Sequence, residues 1–256
     1  MRIDLNSDLG ESFGAYTMGL DSQVIPHITS ANVACGYHAG DPVVMEATVQ
    51  MCKQHGVAVG AHPGYPDLMG FGRRNMGASP AEVKSYIKYQ VGALMAFCQS
   101  AGMKLQHVKP HGALYNTAAK DYKLAAAIAQ AVYEVDPTII LLGLSGSQSL
   151  VAAKDIGLPC ASEVFADRAY NADGSLVARG TPGAVIHDVD ECVARIIRMV
   201  KEHKVTAITG EEVSLSPQSI CVHGDTPEAV AFVKNIKEKL MENGITPSNL
   251  GQITAD

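Results

Sequence analysis

Short apolar runs alternate with capped helices along this chain of 256 residues. The runs predict seven β-strands, at residues 2–7, 29–35, 57–61, 105–109, 139–143, 159–163 and 219–223. Because a helical segment follows nearly every run, we expect the strands to lie parallel in one sheet. The alternation restricts the chain to an α/β fold, which is either a closed β/α barrel or an open, doubly wound sheet.

The predicted helices begin and end at capping signals. Asp41 followed by Pro42 opens one helix, and Gly56 follows its end. Residues 79–82 read Ser-Pro-Ala-Glu, which is a capping box. The remaining helices are predicted to begin near Thr117, Ser147, Asp188 and Thr226.

A seven-stranded parallel β/α barrel, similar to a TIM barrel, is the preferred interpretation, and the open sheet is the alternative. Polar residues follow nearly every strand, whereas an open sheet concentrates its ligand groups at one switch point. Residues 1–256 are interpreted as one domain. The long connection at 164–187, with a predicted hairpin turn at 171–174, is expected to be a lid or a partner-docking insertion.

The composition excludes several classes of partner. A net charge of −6 argues against nucleic acid and anionic membranes, because both require a basic surface. The first residues read as a strand rather than a signal peptide, and no apolar run approaches the ~18 residues of a membrane helix. The six cysteines include no Cys-x-x-Cys pair, which is typical of reduced thiols. We therefore expect a cytoplasmic protein.

Four histidines share one local setting, in which an apolar run ends and a glycine lies one or two residues further on. They are His38, His62, His111 and His223. Since active sites of β/α barrels lie at the carboxyl ends of the strands, this pattern predicts a ring of catalytic groups. One histidine after a strand is more often structural, but four in equivalent places favour a site. Neutral imidazole suits proton transfer or metal ligation.

Acidic and amide side chains mark the end of the first predicted strand. Asp4 and Asn6 alternate with an apolar residue, so both are expected to face the barrel interior. Asp8 is the leading candidate for a general base or a metal ligand, although solvated turn acids are the alternative. Asp8, His38 and His62 together form a possible divalent metal site.

A third group is cationic. Lys109 and Arg73 are expected to hold anionic groups of a ligand, whereas Arg74 is equally well explained as surface charge. The chain has no phosphate-binding Gly-x-x-x-x-Gly-Lys-Ser/Thr loop and no Gly-x-Ser-x-Gly nucleophile motif. The residues predicted to bind substrate are Asn6, Glu11, Asn32, Tyr65, Arg73, Lys109, Tyr115, Glu163, Arg168 and Asp225.

Five segments spread over the whole chain resemble the LamB/YcsF family. They are residues 4–11, 32–41, 60–67, 108–115 and 222–225. The resemblance implies a barrel of the glycoside hydrolase/deacetylase type. It also implies a role in the ATP-dependent cleavage of 5-oxo-L-proline to L-glutamate, together with partner subunits B and C. In that scheme the partners bind most of the ATP and phosphorylate the lactam, and this chain completes the ring opening.

Hydrolysis of a phosphorylated lactam needs a base for water and an acid for the ring nitrogen. Asp8 or His62 is expected to activate water, and His111 or His223 to protonate the departing nitrogen. Two other functions stay open. One is a stand-alone metal-dependent amide or N-acetyl hydrolase of the polysaccharide deacetylase type, which would act without ATP. The other is a ligand-binding barrel without catalysis.

Overall fold

The computed structural model describes residues 1–222 and 227–254. Its strands are β1 (Arg2–Leu9), β2 (Ser30–Ala34), β3 (Ala58–His62), β4 (Leu105–Val108), β5 (Ile140–Leu144), β6 (Cys160–Phe165), β7 (Lys204–Thr206), β8 (Glu212–Ser214), β9 (Ser219–Cys221) and β10 (Thr246–Pro247). Strands β1 to β6 and β9 are parallel and follow one another around a closed barrel, since β9 pairs with both β6 and β1. The predicted seven-stranded barrel is therefore confirmed.

Helices surround the barrel. They are α1 (Asp21–Val24), α2 (Pro42–His55), α3 (Pro80–Ser100), α4 (Gly112–Ala118), α5 (Tyr122–Val135), α6 (Gln148–Asp155), α7 (Val189–Glu202), α8 (Pro227–Glu242) and α9 (Leu250–Ile253). Within residues 1–222 and 227–254, no helix has the length and apolar character that crossing a bilayer requires.

The capping signals explain most helix ends. Asp41 accepts hydrogen bonds from the first amides of α2, and Ser79 and Glu82 form the reciprocal capping box of α3. The predicted helix start near Thr117 is wrong. Asp121 caps α5 instead, and its side chain competes with continuation of α4 by accepting from the amides of the second and third residues after it. The predicted cap at Thr226 lies outside the described residues.

Three short strands were not predicted. The antiparallel β7–β8 hairpin lies outside the barrel, and β10 extends the edge of β1 at Arg2 and Ile3. Segments of two or three residues are too short to display the period of two that identifies a strand.

The barrel interior is polar at the end that carries the site. On β1, Ile3 and Leu5 belong to the hydrophobic core outside the barrel, so the alternating Asp4 and Asn6 point inward, as predicted. Pairing places Asp4 opposite Ser219, and Ser219 opposite Glu163. Neighbouring strands thus contribute polar side chains to the same interior layer, which forms the floor of the site.

Candidate active site at the carboxyl ends of the strands

Lys109 lies at the centre of the buried polar layer. It directly follows β4, and its backbone amide continues the ladder by donating to the carbonyl of Ala61 at 2.9 Å. Its ammonium lies 3.0 Å from Asp8 and 2.8 Å from Glu163. Burial opposes the charge on Lys109, but the attraction of Asp8, Cys221 and Glu163 is larger in total and raises its pKa well above the usual value. Lys109 is therefore a fixed cation.

Asp8 lies at the end of β1, between the lysine and the histidines. Asn32 donates to Oδ1 of Asp8 at 2.8 Å, and the Lys109 ammonium donates to the same oxygen. The other oxygen, Oδ2, lies 3.4 Å from Nε2 of His62. These contacts orient one carboxylate oxygen toward the lysine and the other toward the imidazoles, and the side chain is 18 % exposed. Asp8 is thus accessible to a ligand and held in place.

Glu163 and its partners support Lys109 from below. Tyr115 donates to Oε2 of Glu163 at 2.6 Å, and Asn6 donates to Oε1 at 2.9 Å. Burial, followed by the nearby charge of Glu163, raises the pKa of Tyr115 well above its usual value, so the phenol keeps its proton and remains a donor. The fully buried carboxylate of Glu163 thus has three donors, namely Tyr115, Asn6 and Lys109. A charged group can be buried in this way only when it is paired and hydrogen-bonded.

Backbone carbonyls fix the orientation of His62 and His111. Nδ1 of His62 lies 2.8 Å from the carbonyl oxygen of Lys109, and Nε2 of His111 lies 2.8 Å from that of Phe71. A carbonyl only accepts, so each of these nitrogens carries the ring proton. The remaining nitrogens, Nε2 of His62 and Nδ1 of His111, face each other at 2.9 Å. In the neutral rings, both present a lone pair.

His38 and Glu11 complete this group. The rings of His38 and His111 stack in parallel with centroids 3.7 Å apart, and Nε2 of His38 lies 3.3 Å from Glu11. Burial lowers the pKa of His111 to about 3, with a further contribution from His62. Burial also lowers the pKa of His38 well below its usual value, followed by the effect of His111. Both stacked imidazoles are therefore neutral at physiological pH.

A cavity of about 420 Å³ opens above this floor. Asp8, Glu11 and the rings of His62 and His111 form part of its wall. The other charged groups on its wall are cations, namely Arg73, Lys109, Lys120, Arg168 and Arg179. Cations in excess of carboxylates suit an anionic ligand of small size.

The long connection between β6 and α7 contributes one side of the cavity. Residues 175–179 line it. The predicted turn at 171–174 is present, since the amide of Gly174 donates to the carbonyl of Asn171 at 3.0 Å. Arg168 is buried here, and its guanidinium donates to the carbonyls of Val177 and Ala184. Arg168 therefore holds the backbone of this segment in place and also lines the cavity.

The structure brings most of the predicted site residues together. Asn6, Asn32 and Glu163 lie beneath the cavity, where they hold Asp8 and Lys109. Tyr65, predicted to bind substrate, is instead buried in the hydrophobic core. Arg74 pairs with Asp67, which agrees with surface charge. His223 and Asp225 lie outside the described residues.

Sequence reasoning missed three contributors to the site. Phe71 supplies the carbonyl that fixes His111, and its backbone is left-handed, with φ of 53°. Lys120 and Arg179 reach the cavity from a helix–helix connection and from the long connection. The sequence carries no periodic signal for such loop residues, because their position depends on how the loops fold over the barrel end.

The fold and site define a β/α-barrel protein with a carboxylate–lysine–histidine cluster in a cavity lined by cations at the carboxyl ends of the strands. The model of the LamB/YcsF family matches residues 3–255, and the chain belongs to this family. It is 62 % identical over 239 residues to a protein of Alkaliphilus metalliredigens that is named as the A subunit of 5-oxoprolinase, with 93 % of each chain covered.

Two further comparisons agree with this assignment. A Clostridium beijerinckii protein with the same name is 59 % identical over 244 residues, which is 95 % of this chain and 96 % of that protein. The crystal structure of a lactam utilization protein from Thermus thermophilus superposes with a TM-score of 0.92 at 45 % identity. The superposition covers 97 % of this chain and 99 % of the Thermus thermophilus chain.

Proposed function

We propose that this protein is the A subunit of an ATP-dependent 5-oxoprolinase, a hydrolase that opens the lactam ring of 5-oxo-L-proline to give L-glutamate. The observation that carries the proposal is the 62 % identity to a protein named as the A subunit of 5-oxoprolinase. The site agrees with it, since a carboxylate lies beside cations in a cavity of about 420 Å³. A cavity of this size suits a small anionic substrate.

The chemistry of the substrate explains why ATP is needed. A lactam carbonyl is a poor electrophile, and phosphorylation of its oxygen activates the ring carbon. We propose that partner subunits B and C bind most of the ATP and perform this step, because this chain has no phosphate-binding loop of the usual kind. The phosphorylated lactam then reaches the cavity described above.

The ring must open at the C–N bond rather than lose phosphate. Water adds its oxygen to the ring carbon of the phosphorylated lactam. If phosphate left from this adduct, the lactam would simply re-form and the phosphorylation would be wasted. If the nitrogen receives a proton, the C–N bond breaks and γ-glutamyl phosphate forms, which a second water hydrolyses to glutamate and phosphate. Productive turnover therefore requires a proton at the nitrogen.

Asp8 is the residue that we assign to this proton transfer. One of its oxygens is bound by Lys109 and Asn32, which leaves Oδ2 as the oxygen nearest to His62. Oδ2 would take a proton from the attacking water and return it to the ring nitrogen. Lys109 and Asn32, by holding Oδ1, fix the orientation of that oxygen. His111 is not well placed as the acid, because its Nε2 proton is committed to the Phe71 carbonyl.

The cations would bind the two anionic groups of the activated substrate. Lys109 lies on the floor beside the proposed base, while Arg73 and Arg179 reach the cavity from loops. We assign Lys109 and Arg73 to the phosphoryl group and the substrate carboxylate. We further propose that the chain is one domain in which the connection at 164–187 acts as a lid, since residues 175–179 already line the cavity. The free cysteines agree with a cytoplasmic location.

The test is Asp8→Asn in the complete complex with ATP and 5-oxoproline. A group that moves a proton in this way contributes about 10²–10⁴-fold, so glutamate production should fall at least 100-fold. Glu46→Gln, on the exposed face of α2, is the control and should be fully active. Full activity of the Asp8 variant would remove Asp8 from the mechanism.

A further inference from the structure

Four buried or half-buried side chains present electron-rich atoms to one small volume beside the cavity. They form the imidazole cluster, which consists of Glu11, His38, His62 and His111. One ligand-type atom of each lies within 4.8 Å of all the others. The proton transfer assigned to Asp8 uses none of these atoms as a proton carrier.

The hydrogen bonds around the cluster define a position that suits a cation. The outer nitrogens of His62 and His111 donate to carbonyl oxygens, so in the neutral rings the inner nitrogens carry lone pairs, and they lie 2.9 Å apart. Two carboxylate oxygens also lie close to this pair. Oε1 of Glu11 lies 3.7 Å from the inner nitrogen of His111, and Oδ2 of Asp8 lies 3.4 Å from that of His62. Lone pairs that face one another in this way repel unless a cation lies between them.

A metal ion at this position would accept the lone pairs of both inner nitrogens at once. His38 and His111 are buried and stack in parallel at 3.7 Å, which disfavours a charge on either ring. Two nitrogen ligands at about 2.1 Å from zinc are separated by roughly 3.0–3.4 Å for bond angles from 90° to tetrahedral. The observed 2.9 Å is close to the lower limit.

We propose that the imidazole cluster binds one divalent transition metal of the zinc class. Three imidazoles and one carboxylate are ligands that such ions prefer. The carbonyls of Lys109 and Phe71 are the outer partners that orient metal-bound histidines. This set has Glu11 and His111 in place of the Asp8 that the sequence suggested beside His38 and His62, since the ligand-type atoms of these four residues lie within 4.8 Å of one another.

Zinc binding by the isolated chain tests the proposal without any reference to catalysis. Protein stripped with a chelator is titrated with Zn²⁺ by calorimetry, and with Co²⁺, whose visible absorption reports its ligands. Wild type should bind about one equivalent. His111→Ala and the more conservative Glu11→Gln should each bind at least about 100-fold more weakly, since even outer partners of metal ligands contribute 10–100-fold.

The exposed His55→Ala, on the last turn of α2, is the matched control and should bind as wild type does. Circular dichroism shows whether each variant is folded. If His111→Ala does not fold, Glu11→Gln still tests the proposal. Absence of saturable binding by wild type, or unchanged affinity in folded Glu11→Gln, would overturn the proposal. Loss of glutamate production by the complex bears on the proposed function alone, because the metal titration needs no substrate.

Discussion

Replacing Lys109 with methionine tests the buried charge arrangement at the floor of the site. Methionine keeps most of the aliphatic stem but removes the ammonium that lies 2.8 Å from Glu163 and 3.0 Å from Asp8. Removing one partner of a buried ion pair costs about 3–5 kcal/mol, because the other charge is left uncompensated. Glu163 is fully buried, but it keeps the donors Tyr115 and Asn6. We therefore expect a loss at the lower end of that range, about 3 kcal/mol.

The double variant Lys109→Met, Glu163→Gln separates charge from packing. Glutamine can still accept from Tyr115 and carries no charge, so the double variant should recover about 2 kcal/mol relative to Lys109→Met. Asp8 remains, but its partial exposure lets water solvate it. The free energy of unfolding is measured in urea by far-ultraviolet circular dichroism, since the chain lacks tryptophan.

Two results would contradict the expected coupling between Lys109 and Glu163. The first is a Lys109→Met variant within about 0.5 kcal/mol of wild type, an effect as small as that of a surface substitution. The second is strict additivity of the two substitutions, since groups that do not interact add. Either result would mean that Lys109 and Glu163 do not compensate each other in the folded protein.

Three further predictions concern stability, and urea unfolding measures each. Gly60→Ala would place a Cβ in steric overlap with the ring of His107, so it should destabilise the protein by about 3 kcal/mol or more. Adding His107→Ala should recover part of that loss, and an equal loss in the single and double variants would show that the two side chains do not clash. Burial raises the pKa of Asp4 from 3.8 to about 6, so the folded state binds this proton more tightly than the unfolded state. The stability that this proton contributes is complete below pH ~4 and is lost as pH rises through about 6. Between pH 4 and 7, the free energy of unfolding of Asp4→Asn should therefore rise relative to that of wild type by up to roughly 3 kcal/mol. A difference that does not change with pH would contradict this. Ser79→Ala should lower the free energy of unfolding by about 1 kcal/mol, because it removes the N-cap of α3. An unchanged free energy of unfolding would show that Glu82 alone is enough to cap the helix.

The barrel was predictable because its strands are buried and its helices are capped. Apolar runs with small interruptions marked all seven barrel strands, and Asp41 and Ser79 marked two helix starts. The break between α4 and α5 was missed because the helical spacing of the apolar residues in α5 was extended back to Thr117, whereas Asp121 caps α5. The β7–β8 hairpin was too short to be recognised.

The site was predictable where its residues lie at or just after the carboxyl ends of strands. Asp8, His62, Lys109 and His111 converge because the carboxyl ends of barrel strands meet on one face. Tyr65 was misplaced because a tyrosine near a strand end can pack inward or outward, and the core accommodates it here. The mutual orientation of His62 and His111 follows from carbonyls of other segments, so no spacing in the sequence could reveal it.

In the proposed function, this chain opens an activated lactam as one subunit of a complex. The most direct measurement is glutamate formation from 5-oxoproline by the purified chain, with and without ATP and with and without subunits B and C. Glutamate is expected only when ATP and all three subunits are present, and its formation should be lost with Asp8→Asn. Amide hydrolysis by the chain alone without ATP, or full glutamate formation without this chain, would contradict it.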